Sequence, residues 1–293
     1  MKRRRGEKST DRPVSTSPSP LITLLTDFGS ADYFVGAVKG VILSENPEVR
    51  IVDITHDIPS HDIAAAGFTL LAAYKSFPAK TVHVAVVDPG VGSSRRGIVV
   101  AAADQFFVGP DNGIFSHVYE REPGYRVFEL INKKYFRSQV SASFHGRDVF
   151  APMAAALAKG VRPSEVGREI GDPVRLESFA PEIIEKKSRT RAGKPGKQIR
   201  ARIIHVDRFG NCVTNLTPDV LSEELINDGV YLVVKGKKIS SFRRFFSEKT
   251  SSRANLFCIW GSAGFLEIAS ANRSAAKILQ AQRGDTVTVY TEG

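Results

Sequence analysis

Three short stretches place ionisable side chains in glycine-containing loops. They are Thr26-Asp27-Phe28-Gly29, Asp88-Pro89-Gly90-Val91-Gly92-Ser93-Ser94-Arg95-Arg96 and Phe144-His145-Gly146-Arg147-Asp148. Loops held by a rigid sheet are where catalytic groups are usually mounted. Pro89 and two glycines set a tight turn. That turn lets Arg95 reach back to Asp88, and such a pair keeps a carboxylate ionised. His145 is the residue type that moves protons near neutral pH. Asp27 ends an apolar run, where a carboxylate can accept both hydroxyls of a ribose. Together these groups suggest an enzyme acting on an adenosine-containing substrate.

Each group also has a plain structural reading. Asp27 and Asp148 are good helix N-caps. Asp88 and Arg95 could close a loop as an ion pair, and a lone histidine is often structural. Gly90-Val91-Gly92 lacks the Lys-Ser/Thr of a phosphate loop. Asp27-Phe28-Gly29 matches a kinase tripeptide by letter, but no glycine-rich loop or strand lysine precedes it. Asp207-Arg208-Phe209-Gly210-Asn211 reads as a polar turn between strands. His56, His61, His83, His117 and His205 are scattered without metal-ligand spacing, so no metal site is expected.

The elements that must carry these loops can be read from periodicity. Leu21–Leu25 is a strand. Phe34, Val35, Val38, Val41 and Ile42 recur at helical spacing until Asn46-Pro47. Arg50–Ile54, Thr81–Val87 and Gly97–Ala103 read as strands, and Ile63–Tyr74 and 148–160 as helices. Strands alternating with helices predict an α/β N-terminal domain over 21–182, its sheet mainly parallel and covered on both faces. Residues 183–198 are polar, charged and broken by glycine and proline, as in a basic linker or loop. Ile199–Val206, Val230–Val234, Phe257–Trp260, Phe265–Ala269 and Thr286–Tyr290 are short alternating segments. With a short helical stretch near Ser274–Leu279, they predict a smaller, mainly antiparallel β domain over 199–293.

Composition narrows the class. The chain has 293 residues and a net charge of +10. Residues 1–20 carry +4 and residues 185–202 carry +7, which leaves the remainder at −1. The charge belongs to a disordered tail and a linker, so no nucleic-acid-binding face is expected. No apolar run reaches the roughly 18 residues of a membrane span. No apolar segment follows the basic start, so no secretory signal is expected. Cys212 and Cys258 form no disulfide framework, and a cytoplasmic protein is the default.

Six motifs in order carry a resemblance. They are Thr26-Asp27-Phe28-Gly29 with Asp32 and Val35-Gly36, Val87-Asp88-Pro89-Gly90-Val91-Gly92, Gly109-Pro110-Asp111-Asn112-Gly113, Phe144-His145-Gly146-Arg147-Asp148, Asp207-Arg208-Phe209-Gly210-Asn211 and Gly264-Phe265-Leu266-Glu267-Ile268-Ala269. The chain resembles the S-adenosyl-L-methionine hydroxide adenosyltransferases, relatives of fluorinating and chlorinating enzymes, over residues 21–293. The resemblance implies hydrolysis of S-adenosyl-L-methionine to adenosine and L-methionine, without metal or redox cofactor. It implies a catalytic set at Asp88, Arg95 and His145, and a ribose contact at Asp27. It places Asp207, Asn211, Ser262 and the backbone at Asn272 around the rest of the substrate. It also implies a homotrimer with sites between subunits. Halogenating relatives carry tyrosine where this chain has Asp88 and lack the histidine at 145, so the hydrolase form is expected here. The alternatives are a halogenating enzyme and a non-catalytic protein that binds adenosine or S-adenosylmethionine.

Overall fold

The computed structural model describes residues 20–185, 197–248 and 255–291. The tail over 1–19 and most of the basic segment lie outside the described residues. In the first half come β1 (Leu21–Thr26), α1 (Phe34–Glu45), β2 (Arg50–Thr55), α2 (Ile63–Ala73), β3 (Val82–Val86), β4 (Gly97–Ala102), β5 (Gln105–Pro110), α3 (Ser116–Arg121), β6 (Arg126–Glu129), α4 (Ala151–Ala158), α5 (Pro163–Val166) and β7 (Glu169–Ile170). A π-helical turn, Gly146–Phe150, leads into α4.

These strands form one sheet in the order β2-β1-β3-β5-β4-β6-β7. The expected parallel sheet is found only on one side. β2, β1, β3 and β5 run parallel, whereas β4, β6 and β7 are joined by antiparallel pairings. The sheet is therefore mixed. The reason is a hairpin that spacing did not reveal. Ala103 and Asp104, between β4 and β5, both sit at positive φ, 52° and 56°. This is the backbone of a two-residue hairpin turn, normally signalled by Asn-Gly or Asp-Gly.

Helices do cover both faces. Alternate residues of the buried strands divide between two cores, as the two-residue strand period requires. Ile22, Leu24, Val84 and Val86 meet Val38 and Ile42 of α1 and Met153 and Ala154 of α4. Leu25, Ala85 and Val87 meet Ala65, Ala66 and Leu70 of α2 and Val118 of α3. α1 ends where the Asn46 N–H returns to the Ile42 carbonyl. α2 begins where the Asp62 carboxylate accepts the Ala65 N–H at 2.9 Å. A buried polar pair lies against the second core. His83 Nδ1 pairs with Thr23 Oγ1 at 2.7 Å, and burial holds the His83 pKa down at about 4.

The second half contains β8 (Glu182–Glu185), β9 (Lys197–Val206), β10 (Cys212–Thr214), α6 (Glu223–Asn227), β11 (Val230–Val234), β12 (Lys237–Ile239), β13 (Leu256–Trp260), β14 (Leu266–Ser270), α7 (Ala275–Leu279) and β15 (Thr286–Thr291). They form an eight-stranded sheet, every named pairing antiparallel. β9 is the spine: Gln198–Arg202 pair with β15, and Ile203–Val206 turn to β10 across a register shift. The flanks of the expected linker are strand, because Glu182–Glu185 of β8 pair with Lys197–Arg200 of β9.

The two halves meet along an apolar seam of Phe68, Phe179, Ile204, Val213 and Phe265. His205 stacks on Phe68 with centroids 4.7 Å apart, and Arg283 pairs with Asp62 at 2.7 Å. Among the described residues, no helix is long and apolar enough to cross a membrane.

Candidate active site

β1 and β3 lie side by side, and their carboxyl ends carry Asp27 and Asp88. The chain leaves β1 through α1 to reach β2 on one side. It then crosses through α2 to β3 on the other side. Such a reversal opens a crevice at the strand ends, the usual ligand position in α/β sheets. Here it is a cavity of about 300 Å³ whose wall includes Asp27, Phe28, Phe34, Asp88, Val91 and His145.

The loop after β3 delivers the charged pair. Gly92 sits at φ +78°, and a Cβ there would lie 2.3 Å from the Ala142 carbonyl oxygen. Glycine thus lets this loop pack against the segment that leads to His145. Arg95 Nε donates to Asp88 Oδ1 and Oδ2 at 2.9 and 3.0 Å, and Nη2 reaches Oδ2 as well. The side chains are 11% and 6% exposed, so the pair is largely buried. The same Nη2 lies 2.8 Å from His145 Nδ1. The Asp88–Arg95 pairing expected from spacing therefore forms, and His145, fifty residues further on, joins it.

That last contact defines the state of the ring. A guanidinium has only donors, so Nδ1 of His145 is the acceptor. The neutral ring then carries its proton on Nε2. Burial, and next the Arg95 charge, push the His145 pKa below its ordinary value, although Asp88 and Asp148 pull the other way. Neutral His145 is the form that fits beside Arg95.

The supporting groups are now identifiable. Arg147 and the Ser141 N–H donate to the fully buried Asp148 carboxylate at 2.7 and 2.8 Å. Burial pushes Asp148 up, but these bonds and the Arg147 charge outweigh it and hold its pKa below the usual range. Asp148 therefore ties down the 141–148 loop rather than capping a helix. Asp27 Oδ2 accepts the His61 N–H at 2.9 Å. Phe28, Phe34 and Phe144 pack edge-on or tilted at 5.3–6.0 Å beside the cavity. Ser60 and His61 also line it. Spacing had not singled these two out, because they sit on the loop before α2 with no motif around them.

The second-half candidates sit elsewhere. Asp207 accepts the Asn211 N–H at 2.8 Å and the Asn211 side-chain amide at 2.9 Å. Gly210 is at φ +82° between them, so this is the expected hairpin between β9 and β10. Asn211 and Asn272 line a separate groove with Phe209, Phe246, Ser270 and Ser274. Asn272 is itself left-handed, at φ 57°. Ser262 is exposed in the turn between β13 and β14. Among the described residues, Asp27, Asp88 and His145 line one cavity, and Asn211 and Asn272 line another. Among the described residues, no cluster of His, Cys, Asp and Glu is arranged to hold a metal ion.

Comparison with known proteins decides the family. Residues 22–167 match the SAM hydroxide adenosyltransferase N-terminal domain, and residues 201–288 match its C-terminal domain. The chain belongs to the SAM hydroxide adenosyltransferase family. The (R)-S-adenosyl-L-methionine hydrolase of Methanocaldococcus jannaschii is 32% identical over 283 residues, covering 92% of this chain and 95% of that one. The protein of the same name from Salinispora tropica is 39% identical over 196 residues, or 67% of this chain and 71% of that one. An uncharacterized conserved protein of Thermotoga maritima superimposes with a TM-score of 0.80 at 34% identity, covering 92% and 99% of the two chains. The two family domains correspond to the two sheets described above.

Proposed function

We propose that this protein hydrolyses S-adenosyl-L-methionine to adenosine and L-methionine. The observation that carries the reading is the Asp88–Arg95–His145 array beside a cavity that also presents Asp27. Asp27 keeps lone pairs free for a ribose diol after accepting from His61. The sulfonium leaves as a neutral thioether and needs no acid, metal or redox cofactor. The reaction needs a water aligned with the carbon–sulfur bond and relieved of a proton as it attacks.

The hydrogen-bond pattern divides the work. His145 holds its proton on Nε2, so it donates to the water oxygen rather than taking a proton from it. Asp88, although paired, retains acceptor capacity on Oδ1, which takes only the Arg95 Nε bond. It receives the water's hydrogen bond and, as attack proceeds, the proton. Arg95 holds both partners in place and stabilises negative charge developing on oxygen. The Asp88 carboxylate takes the water proton as the sulfonium loses its charge, so opposite charges are neutralised together and a dry pocket favours the reaction.

Asp207, Asn211, Ser262 and the Asn272 backbone complete the substrate site across a subunit contact in a homotrimer. Phe209, beside Asn211, is 80% exposed, as expected for a ring that another surface covers. Closed threefold symmetry would set each first-half cavity against a neighbour's second half.

The test is product identification. Purified protein and S-adenosyl-L-methionine in heavy-oxygen water should yield methionine and adenosine labelled at the 5′-hydroxyl. Binding without turnover, or a halide-dependent 5′-halogenated product, would overturn the assignment. For the shared site, His145→Ala and Asn211→Ala chains, each impaired alone, should restore activity in mixed oligomers. A fully active monomer would refute it.

A further inference from the structure

A second cavity, of about 590 Å³, lies on the other side of the catalytic pair. Arg95 lines this cavity, Asp88 lines the first, and His145 lines both. The Asp88–Arg95 ion pair and the His145 ring are therefore the partition between them. The remaining wall comes from the ends of β4 and β6 and from the 133–140 loop, and includes Arg96, Glu129, Lys133 and Arg137. Ser138 and Val140 stand exposed at its solvent side.

We propose that this second cavity is the solvent route to the catalytic array. It would admit the attacking water, and discharge the released proton, while substrate fills the first cavity. The proposal rests on the hydrolase reading above. Three physical arguments join that shared wall. First, a pocket of the first cavity's size buries most of a small ligand's surface, so an occupied pocket shuts its own mouth to water. Second, in-line attack requires the nucleophile to approach from the side opposite the departing sulfur. Third, a roomy cavity lined by charged groups holds water, whereas an apolar one stays dry.

The step balances simply. A water oxygen forms the bond to the 5′ carbon. The carbon–sulfur bond breaks with its electron pair going to sulfur, giving neutral methionine thioether. One water proton passes to Asp88 and from there to solvent. Each turnover thus consumes one water and releases one proton, both of which need a path around bound substrate.

The chain permits a clean test. Both natural cysteines, Cys212 and Cys258, are buried, and burial pushes the Cys212 thiol up to about 11. A thiol introduced by Ser138→Cys would therefore be the reactive one among the described residues. Unlabelled Ser138→Cys should turn over like wild type. Attaching a bulky methanethiosulfonate reagent should lower kcat at least tenfold while substrate affinity stays unchanged, and reduction should restore it. A methyl-sized reagent at the same position should do little. Val140→Trp provides a second plug on the same rim. Unchanged kcat with the bulky label in place would overturn the route while leaving the hydrolase reading intact. A loss of affinity equal to the loss of rate would also overturn it. Wild-type protein that binds substrate but forms no adenosine would overturn both.

Discussion

The two halves carry their site residues in opposite ways. In the first half, Asp88, Arg95 and His145 come from distant segments and meet in one cluster, packed beside Phe28, Phe34 and Phe144. In the second half, Asp207 and Asn211 sit four residues apart in one hairpin and bond mainly to each other. The first arrangement is a cluster assembled from distant segments beside a cavity, as the proposed reaction site requires. The second is a preformed hairpin edge beside an open groove. Damage to the Asp88–Arg95–His145 cluster should therefore cost rate, and damage to the second-half hairpin should cost affinity.

The largest expected effects test that division. Arg95→Ala removes the donor that holds both Asp88 and His145, and kcat should fall by about 10²–10³-fold, the usual cost of losing one preorganised donor. His145→Ala should also lower kcat more than it weakens binding. With the native residues, kcat should decline in acid as His145 takes a proton that Arg95 repels. The midpoint should lie below the ordinary histidine value, since burial and Arg95 lower that pKa. Isothermal titration alongside steady-state rates separates the two quantities. Equal losses of rate and affinity would erase the contrast.

Stability should distinguish the halves next. His83 is buried in the first-half core with a pKa of about 4, against about 6.5 when unfolded. Above pH 6.5 both states are neutral and the group contributes nothing to pH dependence. As pH falls from 6.5 to 4, the unfolded chain gains a proton that the folded chain refuses. Stability should drop by about 3 kcal/mol over that window. His83→Gln should flatten this part of the profile. Melting curves that show the second half failing first in acid would break the contrast.

Affinity effects come third. Asp27→Ala and Asp207→Ala should each weaken substrate binding by about 1.5–3 kcal/mol, typical of a bond to a charged group. Normal affinity in Asp207→Ala would remove the second half from the site. The smallest effect should come from the seam. Arg283→Ala breaks a partly exposed pair with Asp62 and should cost less than about 1 kcal/mol in thermal unfolding. Activity should hardly change, because the stacked aromatic contacts remain.

Sequence by itself determined the elements with strong periodicity and the loops that punctuate them. β1, α1, β2, α2 and β3 fall where apolar spacing places them, because burial of one face imposes a fixed repeat. The Asp88–Arg95 pairing was legible too, since Pro89, Gly90 and Gly92 dictate a tight reversal within seven residues. So were β9, β11, β13, β14 and β15 of the second half, though not β8, β10 or β12.

Tertiary structure decided what local spacing cannot encode. The Ala103-Asp104 hairpin turned half of the first sheet antiparallel without a glycine to announce it. His145 gained its contact with Arg95, a partner fifty residues away, and Asp148 became a buried loop tie through Ser141 and Arg147. Ser60 and His61 entered the cavity only because β1 and β3 are neighbours. The separation of Asp207 and Asn211 from that cavity is likewise a property of the folded chain. Periodicity reports which face of an element is buried; which distant groups then meet depends on how the faces pack.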